Sequence, residues 1–172
     1  MKILYCAIDQ TVPGTTGGSV HVSAVAEGLA ALGHEVHVLV TPGDGPFPAG
    51  GANPVQWIPM APPLGARQLR WLRTGDVRRI VARLQPAVII ERYYNFGGEG
   101  VMAAAAARAA TVLEVNAPVI DHDGSAKGRI DRALLVEPMR RWREAICARA
   151  DLIVTPSAAI LPKGTPARKV VR

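Results

Sequence analysis

The feature that most constrains this chain is its regular alternation of short apolar runs with segments of helical period. Ile3 to Ile8 is an apolar run closed by Asp9, the pattern of a strand buried on both faces. Ser19 to Leu32 then sets Val22, Val25, Ala26, Leu29 and Leu32 at helical spacing, with Gly33 as a stop. The stretch "HEVHVLV" (34–40) reads as a second strand. Such a βαβ unit predicts a parallel sheet with a right-handed crossover. The alternation continues. "VQWIPM" is strand-like, Asp76 to Leu84 is helical with Thr74 as its cap, and "AVIIE" is a buried strand after Pro86. Gly98 to Ala110 reads as an Ala-rich helix, "TVLEV" as a strand, Glu137 to Ala150 as a helix, and "DLIVT" as a strand. Ser157 caps a short helix and "KVVR" is a final strand. No hairpin signal interrupts the order. The predicted fold is therefore α/β: a doubly wound, Rossmann-like parallel sheet.

Composition agrees with one globular domain: 172 residues, 49% hydrophobic and 20% charged. The richest apolar stretch, Val101 to Leu113, is broken by Arg108, so a membrane-spanning helix is not expected. "MKILYCAIDQ" turns acidic too early for a signal peptide. Cys6 and Cys147 stand far apart without a CxxC partner and read as buried thiols in a reducing compartment. The expected location is the cytoplasm. The net charge of +6 points to anionic partners, although an Arg-, Ala- and Gly-rich composition accounts for it equally well. Aromatic residues make up only 5% and do not interleave with basic runs, so no nucleic-acid partner is expected.

In a doubly wound sheet, ligands bind beyond the carboxyl ends of the strands. The residues there are unusually polar: Asp9 to Gly18, "ERYYNFGG" (91–98), "EVNAPVIDHDG" (114–124) and Thr155 to Ser157. Gly14 to Gly18 is a bare "GTTGG" leading into the first helix. Unpaired N–H groups and the positive end of the helix dipole make such a place a seat for an oxyanion. A flexible connection without a ligand is the alternative reading. The stretch is not GxGxxG, and no acidic residue ends the second strand to hold a ribose. Nor is it GxxxxGK[ST]. A nicotinamide enzyme and a P-loop NTPase are both disfavoured.

Several side chains join this seat as candidate substrate-binding groups. Thr16 and His21 flank the glycines. Arg92 can pair with an anion and Tyr93 can stack on a sugar ring, unless Arg92 simply pairs with a Glu at the sheet edge. Glu114 shares a strand face with Asn116 but sits deeper, where a buried structural carboxylate is an equal reading. His122 lies between two Asp residues, which favour its charged form. Ser157 follows the sixth strand. His34 and His37 read as structural. No His, Cys or carboxylate set has a metal-ligand spacing, so no metal is expected.

The order of these segments resembles family 4 glycosyltransferases of GT-B fold. "MKILYCAIDQTVPGTTGGSVHVSAVAEGLAALGHEVHVLV" is similar to their opening strand, Gly-Gly loop, helix and "GHEV" turn; "ERYY", "LEVNAP" and "ADLIVTPSAAI" extend the likeness to Arg172. The resemblance implies residues 1–168 as a single amino-terminal, acceptor-side domain, with 169–172 starting a linker or next strand. It further implies retaining transfer of a sugar from a nucleotide-sugar donor to an acceptor, with no cofactor or metal. Gly17 and Gly18 would meet the donor phosphates. Where the family often has a catalytic-site His after the fifth strand, this chain has Asn116, which can orient hydroxyls but cannot hold a proton. The donor-binding domain with its E-x7-E pair is not in this sequence. A literal E-x7-E, Glu91 to Glu99, lacks the family's surroundings and reads as coincidence. By the resemblance the chain is an isolated domain or fragment, inactive alone.

Two other readings stay open. One is a non-catalytic module that binds a nucleotide or phosphometabolite. The other is a docking domain: Arg67 to Arg83 carries six Arg and one Asp near Trp57 and Trp71, suited to peripheral contact with an anionic inner membrane face. Against it, the arginines scatter around the helix, as on an ordinary solvated surface.

Overall fold

The computed structural model describes residues 1–49, 53–117 and 136–172. Strands β1 (Lys2–Val12), β2 (Glu35–Pro42), β3 (Gln56–Pro59), β4 (Val88–Tyr93), β5 (Ala110–Val115), β6 (Leu152–Val154) and β7 (Val170–Val171) form one sheet. Its order is β3-β2-β1-β4-β5-β6-β7, and every neighbouring pair is parallel. The helices are α1 (Gly17–Ala31), α2 (Thr74–Leu84), α3 (Glu99–Ala103) and α4 (Val136–Arg149). The order reverses between β1 and β4, which opens a crevice at their carboxyl ends. The doubly wound α/β expectation holds, and Val170–Val171 belong to this same sheet.

Period-two alternation explains why the strands read as unbroken apolar runs. Tyr5, Ala7, Val36, Val38 and Val40 face α1, while Leu4, Cys6, Ile8, Leu39 and Ile89 face α2 and α3. A third cluster packs Leu113, Val115 and Ile153 against Ile146, Cys147 and Ala150 of α4. Helix α1 turns Ser19, Val22, Ala26 and Ala30 inward. These small side chains let it lie close to the sheet and carry its amino terminus to the crevice. Its end is a Schellman turn: Gly33 at φ 85° donates to the Ala30 carbonyl, and His34 to that of Leu29. The chain turns there before Leu32 can pack, so Leu32 is exposed rather than part of the apolar stripe.

Two local expectations are corrected. Helix α3 does not run to Ala110; after Ala103 it tightens into a 3-10 turn over Ala104–Ala106. Arg108 at φ 52° then reverses the chain so that the Ala110 amide reaches the Ala87 carbonyl and starts β5. Alanine's helix propensity yields here to sheet pairing. Thr74 is the first residue of α2 and not its cap. Its hydroxyl donates backwards to the Trp71 carbonyl at 2.6 Å, because Arg67–Arg73 already forms a 3-10 segment leading into the helix.

Candidate functional site

Two polar clusters lie on opposite faces of the sheet beneath the crevice. They exist because successive residues of β4 point to opposite sides: Glu91 faces α3, and Arg92 faces α1.

The first cluster is built around Arg70, which is completely buried. Its guanidinium donates to Asp9 at 2.7 Å, Glu91 at 2.9 Å, Glu99 at 2.6 Å and the Arg92 carbonyl at 3.1 Å. Burial works against the Arg70 charge, but the three carboxylates outweigh it and keep the group protonated. For Glu91, burial first and the neighbouring Glu99 next push the carboxyl well above its ordinary range. Both Glu91 oxygens also accept amides at the head of α3, from Gly98 at 3.2 Å and Gly100 at 2.5 Å. The E-x7-E pair thus closes on an internal cation, and its fully buried carboxylates are not at a ligand surface. Arg70 is likewise a correction to the basic segment, since it faces inward; Arg73 and Arg79 pair with Asp76.

The second cluster opens to the crevice. Glu114, in register with Arg92 across β4 and β5, accepts from Tyr5 at 2.6 Å and from Asn116, and meets His21 Nε2 at 2.5 Å. Arg92 Nη1 lies 3.9 Å from the same carboxylate, outside hydrogen-bond range, and its buried Nε and Nη1 have no acceptor. Burial, and then the Glu114 charge, push the Tyr5 hydroxyl far up, which keeps it a donor.

The glycine stretch behaves differently at its two central residues. Thr16 caps α1: its hydroxyl accepts from the Ser19 amide at 3.2 Å and shares a hydrogen bond with the Ser19 hydroxyl. The first main-chain helical bond runs from Val20 to the Thr16 carbonyl. Among the described residues, the amides of Gly17 and Gly18 have no protein acceptor, the arrangement an anion requires. A Cβ on Gly17 would meet open space, but on Gly18 it would lie 1.9 Å from Gln10 Oε1 and 3.3 Å from Arg92 Nη2. Gly18 is therefore bare to admit this chain's own Gln10. Gln10 in turn donates to Asp9, which ties the glycine loop to the Arg70 cluster.

The crevice brings together Gly17, Gly18, His21, Arg92, Glu114 and the exposed Asn116. Four of the expected substrate contacts, Tyr93, Glu114, Ser157 and Thr16, are engaged within the protein itself. Tyr93 is only 5% exposed, with its ring in the core and the Arg143 guanidinium 5.5 Å from its centroid, so stacking on a sugar does not fit. Glu114 is 7% exposed and takes up its neighbours' donors instead of facing outward. Ser157 accepts from the Ala159 amide as the cap of a 3-10 turn, and Thr16 is similarly engaged as a cap. His122 lies outside the described residues. Among the described residues no group of three or more His, Cys, Asp or Glu is arranged for a metal ion, and no helix is long and apolar enough to cross a membrane. Sequence reading missed Arg70, Gln10 and Tyr5. The one available signal was a carboxylate, Glu91, ending an otherwise apolar strand.

The chain is similar to sucrose-phosphate synthase from Thermosynechococcus elongatus (16% identity, TM-score 0.65, 89% of this chain and 41% of that one). It is also similar to UDP-GlcNAc 2-epimerase from Methanocaldococcus jannaschii (13% identity, TM-score 0.58, 99% and 45%). A third likeness is to Anabaena Alr3699/HepE, solved in complex with UDP (19% identity, TM-score 0.55, 99% and 43%). At these identities the likeness is one of fold, and the chain spans less than half the length of each. No curated protein matches it. The model of Glycosyltransferase Family 4 matches residues 15–161, most of the chain and every element that lines the crevice except β1. The chain belongs to Glycosyltransferase Family 4.

Proposed function

We propose that this domain is the acceptor-side half of a retaining glycosyltransferase that moves a sugar from a nucleotide-sugar donor to an acceptor hydroxyl without a metal. The observation that carries the reading is the pair of unpartnered amides at Gly17 and Gly18, at the head of a fifteen-residue helix and beside Arg92. In this reading they receive the charge that builds on the departing diphosphate. Asn116 orients the sugar or acceptor hydroxyls. In this reading the domain is inactive by itself.

The test is titration of the 15N-labelled chain with inorganic pyrophosphate. Saturable shifts concentrated at the Gly17 and Gly18 amides are expected. Shifts absent there, or centred elsewhere, refute the reading.

A second reading, peripheral contact with an anionic bilayer, is favoured by one observation. Leu64, Leu72 and Trp71 are 95%, 50% and 42% exposed on the turns leading into α2, near the exposed Arg67. Co-sedimentation with phosphatidylglycerol vesicles that disappears in Leu72→Ser with Trp71→Ser supports it; equal binding by that variant removes it.

A further inference from the structure

The two arginines that approach the crevice from opposite faces of the sheet are treated differently by the protein. Arg70 is fully buried, and its guanidinium is answered by three carboxylates and a carbonyl. Arg92 is 17% exposed at its side chain, and among the described residues that side chain donates no hydrogen bond; Nε and Nη1 are buried without an acceptor. An arginine keeps its charge, so neither nitrogen can be relieved by losing a proton. The carboxylate beside it, Glu114, stops 3.9 Å from Nη1 and is already engaged. Its Oε2 accepts from Tyr5, and its Oε1 accepts from Asn116 and meets His21 Nε2. Glu114 thus steadies the Arg92 charge from a distance without filling the guanidinium fork. Nη2 lies 3.3 Å from the place a Gly18 Cβ would take, so a side chain there would crowd the guanidinium, and the bare glycine leaves it clear.

We propose that Arg92 is a specificity-determining residue that binds an anionic group, phosphate or carboxylate, carried by the acceptor. The proposal rests on the transferase reading above, in which the Gly17 and Gly18 amides take the donor diphosphate. Arg92 comes to the crevice from β4, on the Cβ side of Gly18 and in register with Glu114, beside the Asn116 that the reading assigns to hydroxyls. Two parallel N–H groups on one edge of a planar guanidinium match two oxygens of a carboxylate or a phosphate. Arg92 holds the ligand and takes no part in making or breaking a bond, so the stereochemical course of transfer is untouched. A neutral acceptor with the same hydroxyls leaves the cation unpaired, which makes charge the feature that discriminates.

Titration of the 15N-labelled chain with α-glycerophosphate, glycerate and glycerol tests this. The first two carry an anion beside hydroxyls, and the third carries none. One or both anions are expected to shift the Arg92 guanidinium signals saturably, their difference telling phosphate from carboxylate, while glycerol leaves those signals in place. Arg92→Met is expected to weaken the binding by about 10-fold or more, and Arg92→Lys, which keeps the charge and loses the fork, by a smaller factor. Pyrophosphate is expected to shift the Gly17 and Gly18 amides in both variants. If neither anion moves the Arg92 signals of the unmodified chain, the proposal is overturned, whether or not the variants fold. A response of Arg92 to pyrophosphate alone overturns it too, by giving the cation to the donor. In either case pyrophosphate shifts at Gly17 and Gly18 leave the transferase reading standing. If those amides do not respond while an anion still binds at Arg92, the transferase reading falls and the Arg92 site remains.

Discussion

Replacing Arg70 by Met removes the one cation among three buried carboxyls while keeping a long apolar side chain in its place. Arg70 is 0% exposed and bonds to Asp9, Glu91 and Glu99 at 2.6 to 2.9 Å. With the arginine present the cluster already carries more acids than bases, and burial with the neighbouring Glu99 pushes the Glu91 carboxyl well above its ordinary range. Without it, at least one carboxyl must be neutralised. Holding a proton at pH 7 on a group whose unfolded pKa is about 4 costs about 1.4 kcal/mol for each of about three units, roughly 4 kcal/mol. Truncating one member of a buried pair costs about 3–5 kcal/mol by other routes, so the two figures agree. That is a large part of the roughly 5–15 kcal/mol that holds a domain together. Loss of the guanidinium that pulls Glu91 down raises that carboxyl further in the fold, so the deficit grows with pH and shrinks as pH falls. Urea unfolding followed by circular dichroism is expected to give a loss near 4 kcal/mol at pH 7 and about 1.4 kcal/mol at pH 5. A loss below about 1 kcal/mol at pH 7, or one that does not vary with pH, would refute the reasoning.

Further outcomes are expected from the glycines and from Asp151. Gly17→Ala should fold as well as the parent or better, by up to about 1 kcal/mol, since its Cβ meets nothing, whereas Gly18→Ala must displace Gln10 and loses about 1–3 kcal/mol; paired thermal melts check the contrast. Gly98→Ala is expected to lose about 2–4 kcal/mol, because φ is 132° and the new Cβ would lie 2.5 Å from Ile146 Cδ1. Asp151 is held below its usual range by the Thr111 amide and then the Thr111 hydroxyl, so its contribution is present above about pH 4 and is lost as pH falls through its lowered pKa. Because the group is largely open to solvent, Asp151→Asn should cost about 1 kcal/mol at pH 7, a cost that shrinks as pH falls below about 4, read from urea midpoints.

The sheet was legible because its signal is local and repeated: each apolar run supplies one strand, and the intervening helical period leaves only a parallel arrangement. Helix α3 was overestimated because alanine propensity is also local, while the demand that Ala110 reach Ala87 is not. Within the site, the glycine seat and Arg92 were visible as residue types in the right place. Arg70 was not, since nothing in a string of arginines marks the one that turns inward; only Asp9, Glu91 and Glu99, brought from three other elements, single it out. The same holds for His21 and Glu114, whose meeting depends on how closely small α1 side chains let that helix approach β5. The spacing of Glu91 and Glu99 reads as chance in the sequence, because it lacks the surroundings of the family's E-x7-E pair.

Among the helices at the carboxyl rim, α3 begins with its amide hydrogens already spent on Glu91, a stopper grown from its own polypeptide. At the start of α1, by contrast, the Gly17 and Gly18 amides have no protein acceptor among the described residues. In the proposed transferase an oxyanion would meet open amides at α1 but not at α3, and exchanging which helix start is stoppered would move the guest across the sheet without altering the fold.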